Sequence, residues 1–308
     1  MAVAAILFRR PGKTRELLQS LKRVQPPRIY LIADGPRTGR VGEAELCAET
    51  RKVAEEGVTW TCEVIRLYSA VNLGLRKRME SGLDFLFQHE DFAVILEDDC
   101  SPSADFFRFC EHGNDHYAAD QHIGAVSGNC YLPATVRLAY SYYYSRYPHC
   151  WGWATWKSRW QNYQRSALCW PGYRTFFPKA SSREAKYWDR IYARLELFDS
   201  WAYRWQAHFW QQGYLCLYPG ENLVDNTGFG PDSTHTRDVA TQVRWERQAP
   251  MKYPLIRPER VVPNEELDLA VFQNGFLKME GRRNLWQKLR DRCLRHAGWK
   301  PRTTTNPA

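Results

Sequence analysis

The chain has 308 residues, a formal net charge of +9 and a 25% share of charged residues. A chain of this length forms one large domain or two small ones with a sizeable core, and its ordinary composition excludes wholesale disorder. The excess of positive charge favours an anionic partner such as a nucleotide, a nucleic acid or an anionic membrane surface, although the body of the chain shows no nucleic-acid motif.

The first 130 residues alternate short apolar strands with helical patterns. Strands are predicted at 3–8, 28–33, 61–68, 92–96 and 122–127, and helices at 13–23, 42–56, 75–89 and 104–117. Such alternation predicts an α/β fold with a mostly parallel sheet and helices on both faces.

The rest of the chain divides into two further regions. Residues 131–240 are rich in Trp and Tyr, with predicted helices at 153–164, 181–196 and 200–212 and a strand at 214–218. Residues 241–308 form a C-terminal extension in which 280–300 predicts a basic amphipathic helix. That helix either lies on an anionic membrane or packs its apolar stripe on the domain.

The cysteines and the apolar runs bear on the compartment. The nine cysteines form no CxxC pair and no zinc spacing, and no secretory signal precedes them. No apolar run approaches the roughly 18 residues of a membrane span. We therefore expect reduced thiols in a cytoplasmic protein, with the C-terminal extension able to hold it on the inner face of the plasma membrane.

Three consecutive acids, Glu97, Asp98 and Asp99, follow the strand at 92–96. Like charges at a strand end repel one another and resist loss of water. A hard divalent cation such as Mg²⁺ or Mn²⁺ would relieve that repulsion, and it usually also holds phosphate oxygens. The cluster is either such a site or an exposed acidic turn.

Polar residues also follow other strands. Asp34 ends the second strand, in Asp-Gly-Pro, which is either a turn or an acid able to bond the imide N–H of uracil. Arg9 and Arg10 end the first strand and suit oxyanions, unless they are surface arginines. Arg76 lies at a helix start, where backbone amides also favour anions.

The order of these motifs resembles that of bacterial nucleotide-sugar glycosyltransferases of the GT-A fold, of the family 2 type, and most of all the branch similar to N-acetylglucosaminyltransferase I. The similarity spans about residues 3–236. The motifs that carry it are F-x-R-P, D-G-P-R, N-L-G, I-L-E-D-D-C-x-P, S-Y-Y-x-S-x-Y and W-G-W-A-T-W.

The resemblance implies a role for each matching residue on the donor side. Arg10 would touch a uridine diphosphate and Asp34 would read the uracil. Asp99 would ligate Mn²⁺ or Mg²⁺, while Glu97 and Asp98 would contact ribose and sugar.

On the acceptor side, the resemblance places Trp151, Gly152 and Trp153 beside the sugar and the acceptor, with Trp201 in the same pocket. The family's catalytic base is an acid before a Trp, which matches Asp199 in Phe-Asp-Ser-Trp. Asp189 is the rival. His235 matches a loop histidine that some members use on the metal or the diphosphate.

These expectations amount to a metal-dependent, inverting hexosyltransferase. It would move a sugar, with N-acetylhexosamine as the first candidate, from a UDP-sugar to a glycan or lipid-linked acceptor in surface polysaccharide synthesis. Two other interpretations stay open. One is a sugar nucleotidyltransferase, although the N-terminal loop lacks repeated glycines, and the other is a non-catalytic sugar-binding protein.

Overall fold

The computed structural model describes residues 1–163, 170–197, 199–228 and 247–278. Ten strands are defined in this part of the chain: β1 Ala2–Leu7, β2 Arg28–Ala33, β3 Glu63–Tyr68, β4 Phe92–Glu97, β5 Cys100–Pro102, β6 Ile123–Ser127, β7 Tyr142–Ser145, β8 Trp153–Trp156, β9 Leu215–Pro219 and β10 Val224–Asn226.

The helices of the described residues alternate with these strands at first and then cluster. They are α1 Pro11–Lys22, α2 Glu43–Gly57, α3 Leu75–His89, α4 Ala104–Tyr117, α5 Lys157–Gln161, α6 Tyr173–Phe176, α7 Ser182–Tyr192, α8 Trp201–Gln212 and α9 Glu265–Val271. A 3₁₀ turn at Leu195–Leu197 precedes α8, and a π-helix at Phe272–Leu277 continues α9.

Eight of the strands form one twisted sheet in the order β3-β2-β1-β4-β8-β6-β9-β7. The first four strands in this order, β3, β2, β1 and β4, are parallel to one another, and β6 is parallel to β9. Strand β8 is antiparallel to both β4 and β6, and β7 is antiparallel to β9. The predicted α/β class with a mostly parallel sheet is confirmed, and the sheet is mixed in its second half.

Both faces of this sheet are buried, as predicted. Alternate residues of β1 point to opposite faces, so that Val3 and Ala5 pack with α1 and α4, while Ala4 and Ile6 pack with α3 and α8. A third cluster, which we call the aromatic layer, lies on the far side of the second half. Its main members are Tyr131, Tyr147, Tyr173, Trp188, Tyr192, Trp210 and Phe272.

The predicted helix at 153–164 is wrong in its first part. Trp153–Trp156 is a strand whose four residues are all buried, and the helix begins only at Lys157. The strand forms because the backbone of this segment pairs with β4 on one side and β6 on the other, and its Trp and Thr residues are types that favour strands. The sequence did not predict strand β7 or the short two-stranded sheet that β5 and β10 form together.

None of the helices in the described ranges is long and apolar enough to cross a membrane. The predicted basic helix at 280–300 lies outside the described residues.

Candidate functional site

The carboxyl ends of β2, β1 and β4 meet at one edge of the sheet, because these strands are adjacent and parallel. The backbone N–H of Asp34 donates to the carbonyl of Leu7 at 3.1 Å, and that of Asp98 donates to the carbonyl of Ile6 at 3.1 Å. Asp34 and Asp98 therefore flank the end of β1 on either side. This is the position in open α/β sheets where ligands bind.

Arg10 bridges the first strand end to the acidic cluster. Its Nε donates to Asp98 Oδ2 at 3.1 Å, and its Nη2 donates to Asp98 Oδ1 and, at 3.0 Å, to Asp99 Oδ2. Burial opposes the charge of the guanidinium, but the two carboxylates outweigh burial and raise the pKa of Arg10. The structure thus brings Arg10, Asp98 and Asp99 together as the strand ends predicted.

One oxygen of the Asp99 carboxylate has no hydrogen-bond partner within the described part of the chain. This oxygen, Oδ1, is buried. Nearby, burial and the charges of Asp99 and Asp98 raise the pKa of Glu97. Among the described residues, Arg10 bonds two of these three neighbouring acids, Asp98 and Asp99, and the cluster resists carrying three negative charges at once.

That arrangement fits a divalent cation. An orphaned carboxylate oxygen beside surplus negative charge is the hard oxygen donor that Mg²⁺ or Mn²⁺ takes, and these ions complete their shells with water and phosphate oxygens. Within the described part of the chain, no group of three or more His, Cys, Asp or Glu side chains is arranged to hold a metal ion, so these residues alone do not form the site. The other predicted ligand, His235, lies outside the described residues.

The backbone beyond β10 packs directly on Asp99. Thr227 donates to the Asp99 carbonyl from its backbone N–H at 2.8 Å and from its hydroxyl at 3.2 Å. A Cβ added to Gly228 would overlap Asp99 Oδ2. Gly228 is a site residue that the sequence did not suggest, because the contact joins segments far apart in the chain.

The Asp34 carboxylate, expected to read a base, is 5% exposed and bonded to the protein itself. It accepts from Gly35, Asn72, Leu73 and Gly74, all at 2.9–3.1 Å. Three of these donors, Asn72, Leu73 and Gly74, directly precede α3, so Asp34 links the end of β2 to the start of that helix.

The two candidate bases lie in different surroundings. Asp199 Oδ1 accepts from the backbone N–H of Arg76 at 3.1 Å, at the first turn of α3. Asp189 Oδ1 accepts from Trp170 Nε1 and from the Tyr173 N–H, both at 2.8 Å. Asp199 is therefore linked through α3 to the strand-end residues, whereas Asp189 secures a turn beside the aromatic layer.

The predicted pocket residues separate into two groups. Trp153 and Trp201 are 1% and 2% exposed and stack on one another with ring centroids 5.4 Å apart. A sugar could reach either ring only if these side chains moved. Trp151 is half-buried, and Gly152 adopts φ +70° at a point where an added Cβ would overlap the side chain of Val224.

Arg78 belongs to the same basic run at the start of α3 as Arg76, and the structure buries it. Its side chain is 5% exposed, and its Nε has no partner among the described residues. Burial lowers the pKa of Arg78, and the neighbouring Asp34 opposes that shift. A signal was present, since Arg76, Lys77 and Arg78 place three cations in the first turn of a helix, where positive charge is unfavourable.

No protein-family model and no curated protein matches this chain. Solved structures of low identity do. TarS of S. aureus is 13% identical, with 51% of this chain and 48% of that chain covered and a TM-score of 0.36. The chain thus spans about half the length of that protein.

Two further solved structures are similar at the same level. The mannosyltransferase PcManGT of Pyrobaculum calidifontis, in complex with GDP-Man and Mn²⁺, is 16% identical over 50% of this chain and 44% of that chain, with a TM-score of 0.31. Mouse xyloside xylosyltransferase 1 is 12% identical over 69% and 82%, with a TM-score of 0.34. These scores are too low to assign a fold family, so the α/β architecture rests on the strands and helices themselves.

Proposed function

We propose that the chain is a metal-dependent, inverting glycosyltransferase of the GT-A fold that moves a sugar from a UDP-sugar to a hydroxyl group. The observation that carries this proposal is the strand-end site, where Arg10 clamps Asp98 and Asp99 while no described residue donates to Asp99 Oδ1. A buried, over-acidic cluster of this kind suits a cation with a diphosphate better than it suits a neutral sugar.

On the donor side, Asp99 would hold Mn²⁺ or Mg²⁺, and His235 is the proposed second contact. Such a cation, when bound, neutralises the charge that develops on the leaving diphosphate. Arg10 is placed to add positive charge beside the same phosphates. Glu97 and Asp98 would accept hydrogen bonds from the ribose and the sugar, and Arg76 would face the diphosphate from the start of α3.

On the acceptor side, Asp199 would take the proton from the attacking hydroxyl. A positioned carboxylate contributes about 10²- to 10⁴-fold to such a reaction. Direct displacement with one base inverts the configuration at the anomeric carbon. Trp151 and Gly152 would border the acceptor, and Trp153 and Trp201 would support them from the core.

The partners follow from this chemistry. The proposed donor is a UDP-sugar, with N-acetylhexosamine as the first candidate. The proposed acceptor is a glycan or a lipid-linked saccharide in surface polysaccharide synthesis. The basic sequence at 280–300 would hold the enzyme on an anionic membrane, at the inner face of the plasma membrane.

A panel of sugar nucleotides tests this proposal. The purified protein is incubated with each compound, with and without acceptor sugars, and release of the nucleoside diphosphate is measured with Mn²⁺, with Mg²⁺ or with excess chelator. We expect one UDP-sugar to release UDP. This release should increase when the acceptor is added and stop in excess chelator. Full activity in chelator would contradict the metal role. In a separate incubation with a nucleoside triphosphate and a sugar 1-phosphate, release of pyrophosphate would instead indicate a nucleotidyltransferase.

A matched pair of variants tests the assignment of the base. Asp199→Asn should lower transfer about 10²- to 10⁴-fold while UDP binding stays unchanged. Asp189→Asn is the control, because this residue bonds Trp170 and Tyr173 instead. Near-normal turnover in Asp199→Asn, or a larger loss in Asp189→Asn, would reject Asp199 as the base.

A further inference from the structure

The hydrogen bonds of Asp34 leave its carboxylate no free acceptor position. Oδ1 accepts from the backbone N–H groups of Gly35 and Leu73, both at 2.9 Å. Oδ2 accepts from Asn72 Nδ2 at 2.9 Å and from the Gly74 N–H at 3.1 Å. An ionised carboxylate has about four lone-pair positions, so these four donors fill it. The N–H of a nucleobase would have to displace one of them.

These bonds fix the turn from which α3 begins. Gly74 has φ +81° and precedes the first helical residue without any side-chain cap of its own. Asn72 also donates to the Gly35 carbonyl at 2.9 Å, which closes the turn against the end of β2. The start of α3 is therefore held from outside the helix by Asp34 and its neighbour.

The same turn carries Asp199. The Arg76 N–H donates to Asp199 Oδ1 at 3.1 Å, and a Cβ on Gly74 would lie 2.8 Å from Asp199 Oδ2. The carboxylate of Asp199 thus sits against two residues whose positions Asp34 sets. The first turn of α3 has three cations and no acid of its own, so both carboxylates also offset its positive end.

We infer that Asp34 is a positioning residue for Asp199, acting through the turn at 72–74, and that it does not read the nucleobase. This inference rests on the proposed function, in which Asp199 is the base. It links the end of β2, on the donor side, to the start of α8, which bears the acceptor side.

A double-mutant cycle tests the inference. In Asp34→Asn an amide NH₂ group replaces one carboxylate oxygen, for example Oδ2. It then faces the N–H donors of Asn72 and Gly74 and cannot accept from them, so the turn at 72–74 loosens. We expect kcat to fall about tenfold or more, while the KM for the donor and the preference for UDP-sugars over GDP-, CDP- and ADP-sugars stay as in the wild type. Asp34→Asn should then have little further effect when Asp199→Asn is already present.

A second variant covers the case in which Asp34→Asn fails to fold. Asn72→Ala removes one of the four donors and leaves the backbone N–H groups in place. We therefore expect a smaller loss of kcat and an unchanged preference for UDP-sugars over other sugar nucleotides. A changed base preference, a raised donor KM at normal kcat, or additive effects with Asp199→Asn would overturn the positioning role alone. Absence of transfer by the wild-type protein would overturn the proposed function, and this inference with it.

Discussion

The strand-end site and the aromatic layer use buried carboxylates in opposite ways. In the aromatic layer, Glu184 Oε1 accepts from Arg146, Tyr147 and Tyr173, so the protein itself satisfies the charge. At the strand ends, Asp99 Oδ1 accepts from no described residue, while Asp99 Oδ2 accepts from Arg10, which also donates to Asp98. A carboxylate that the fold satisfies is there for stability, whereas one that the fold leaves unsatisfied indicates a ligand.

The largest expected effect is on the strand-end side of this comparison. Asp99→Asn should lower metal-dependent transfer by about 10³-fold or more, because a bound cation contributes several kcal/mol. Its thermal stability should hold or rise, since one of three clustered carboxylates loses its charge. Initial rates over a Mn²⁺ series and thermal denaturation check this, and activity within tenfold of the wild type would remove Asp99 from the site.

The matched change in the aromatic layer should do the reverse. Glu184→Gln removes one of the two carboxylates that pair with the buried Arg146, the other being Asp268, and breaking a buried pair costs at most about 3–5 kcal/mol. We expect the free energy of unfolding, measured in urea, to fall by up to that amount. The kcat of the remaining folded protein should be unchanged. A loss of kcat without a loss of stability would contradict a purely structural role for Glu184.

A pH series sharpens the comparison within the aromatic residues. Burial lowers the pKa of His149 to about 3, and its Nε2 has no partner in the described residues. The unfolded chain takes up this proton near pH 6.5 and the folded chain does not, so His149 reduces stability as the pH falls below about 6.5 towards 3.

The variant His149→Phe isolates that contribution. The wild type should lose about 2 kcal/mol between pH 6.5 and 5 through His149. In the variant, whose ring would pack among Tyr131, Tyr218 and Phe276, this part of the loss disappears. Urea unfolding at both pH values measures it, and identical pH profiles for the two proteins would count against the assignment.

The smallest expected effect concerns the space beside Asp99. A Cβ at residue 228 would overlap Asp99 Oδ2, so Gly228→Ala should weaken Mn²⁺ binding about tenfold, in line with the 1–3 kcal/mol of a typical overpacking change. Gly12→Ala is the control, because a Cβ there meets nothing within 4 Å. Calorimetric titration with Mn²⁺ measures both, and equal affinities would show that the Asp99 carboxylate has room to move.

Much of the fold could be predicted from local pattern. The predicted helices at 75–89 and 104–117 match α3 and α4 residue for residue, because their apolar faces repeat at helical spacing and a Ser103 cap starts the second. Trp153–Trp156 could not be predicted in the same way. Its strand exists because β4 and β6 lie on either side of it, which no local pattern records.

The candidate site divides along the same line. Arg10, Asp98 and Asp99 could be expected to meet, because each follows a strand and parallel strands end at a common edge. Three of the four donors of Asp34, the packing of Gly228 beside Asp99 and the burial of Trp201 arise between segments remote in sequence. These contacts decide which carboxylate oxygens the fold itself bonds, so the meeting of these residues at one sheet edge could be predicted, whereas their individual hydrogen-bond partners could not.

Strand β8 also has a consequence for synthesis of the chain. The strands β3, β2, β1 and β4 can pair as soon as Glu97 has been made, but the outer side of β4 finds its partner only when Trp153–Trp156 follows. During that interval β4 is an open edge of a nascent sheet, able to pair with another chain. When β8 has been synthesised, it pairs with β4, covers that open edge, and joins the second half of the sheet to the first.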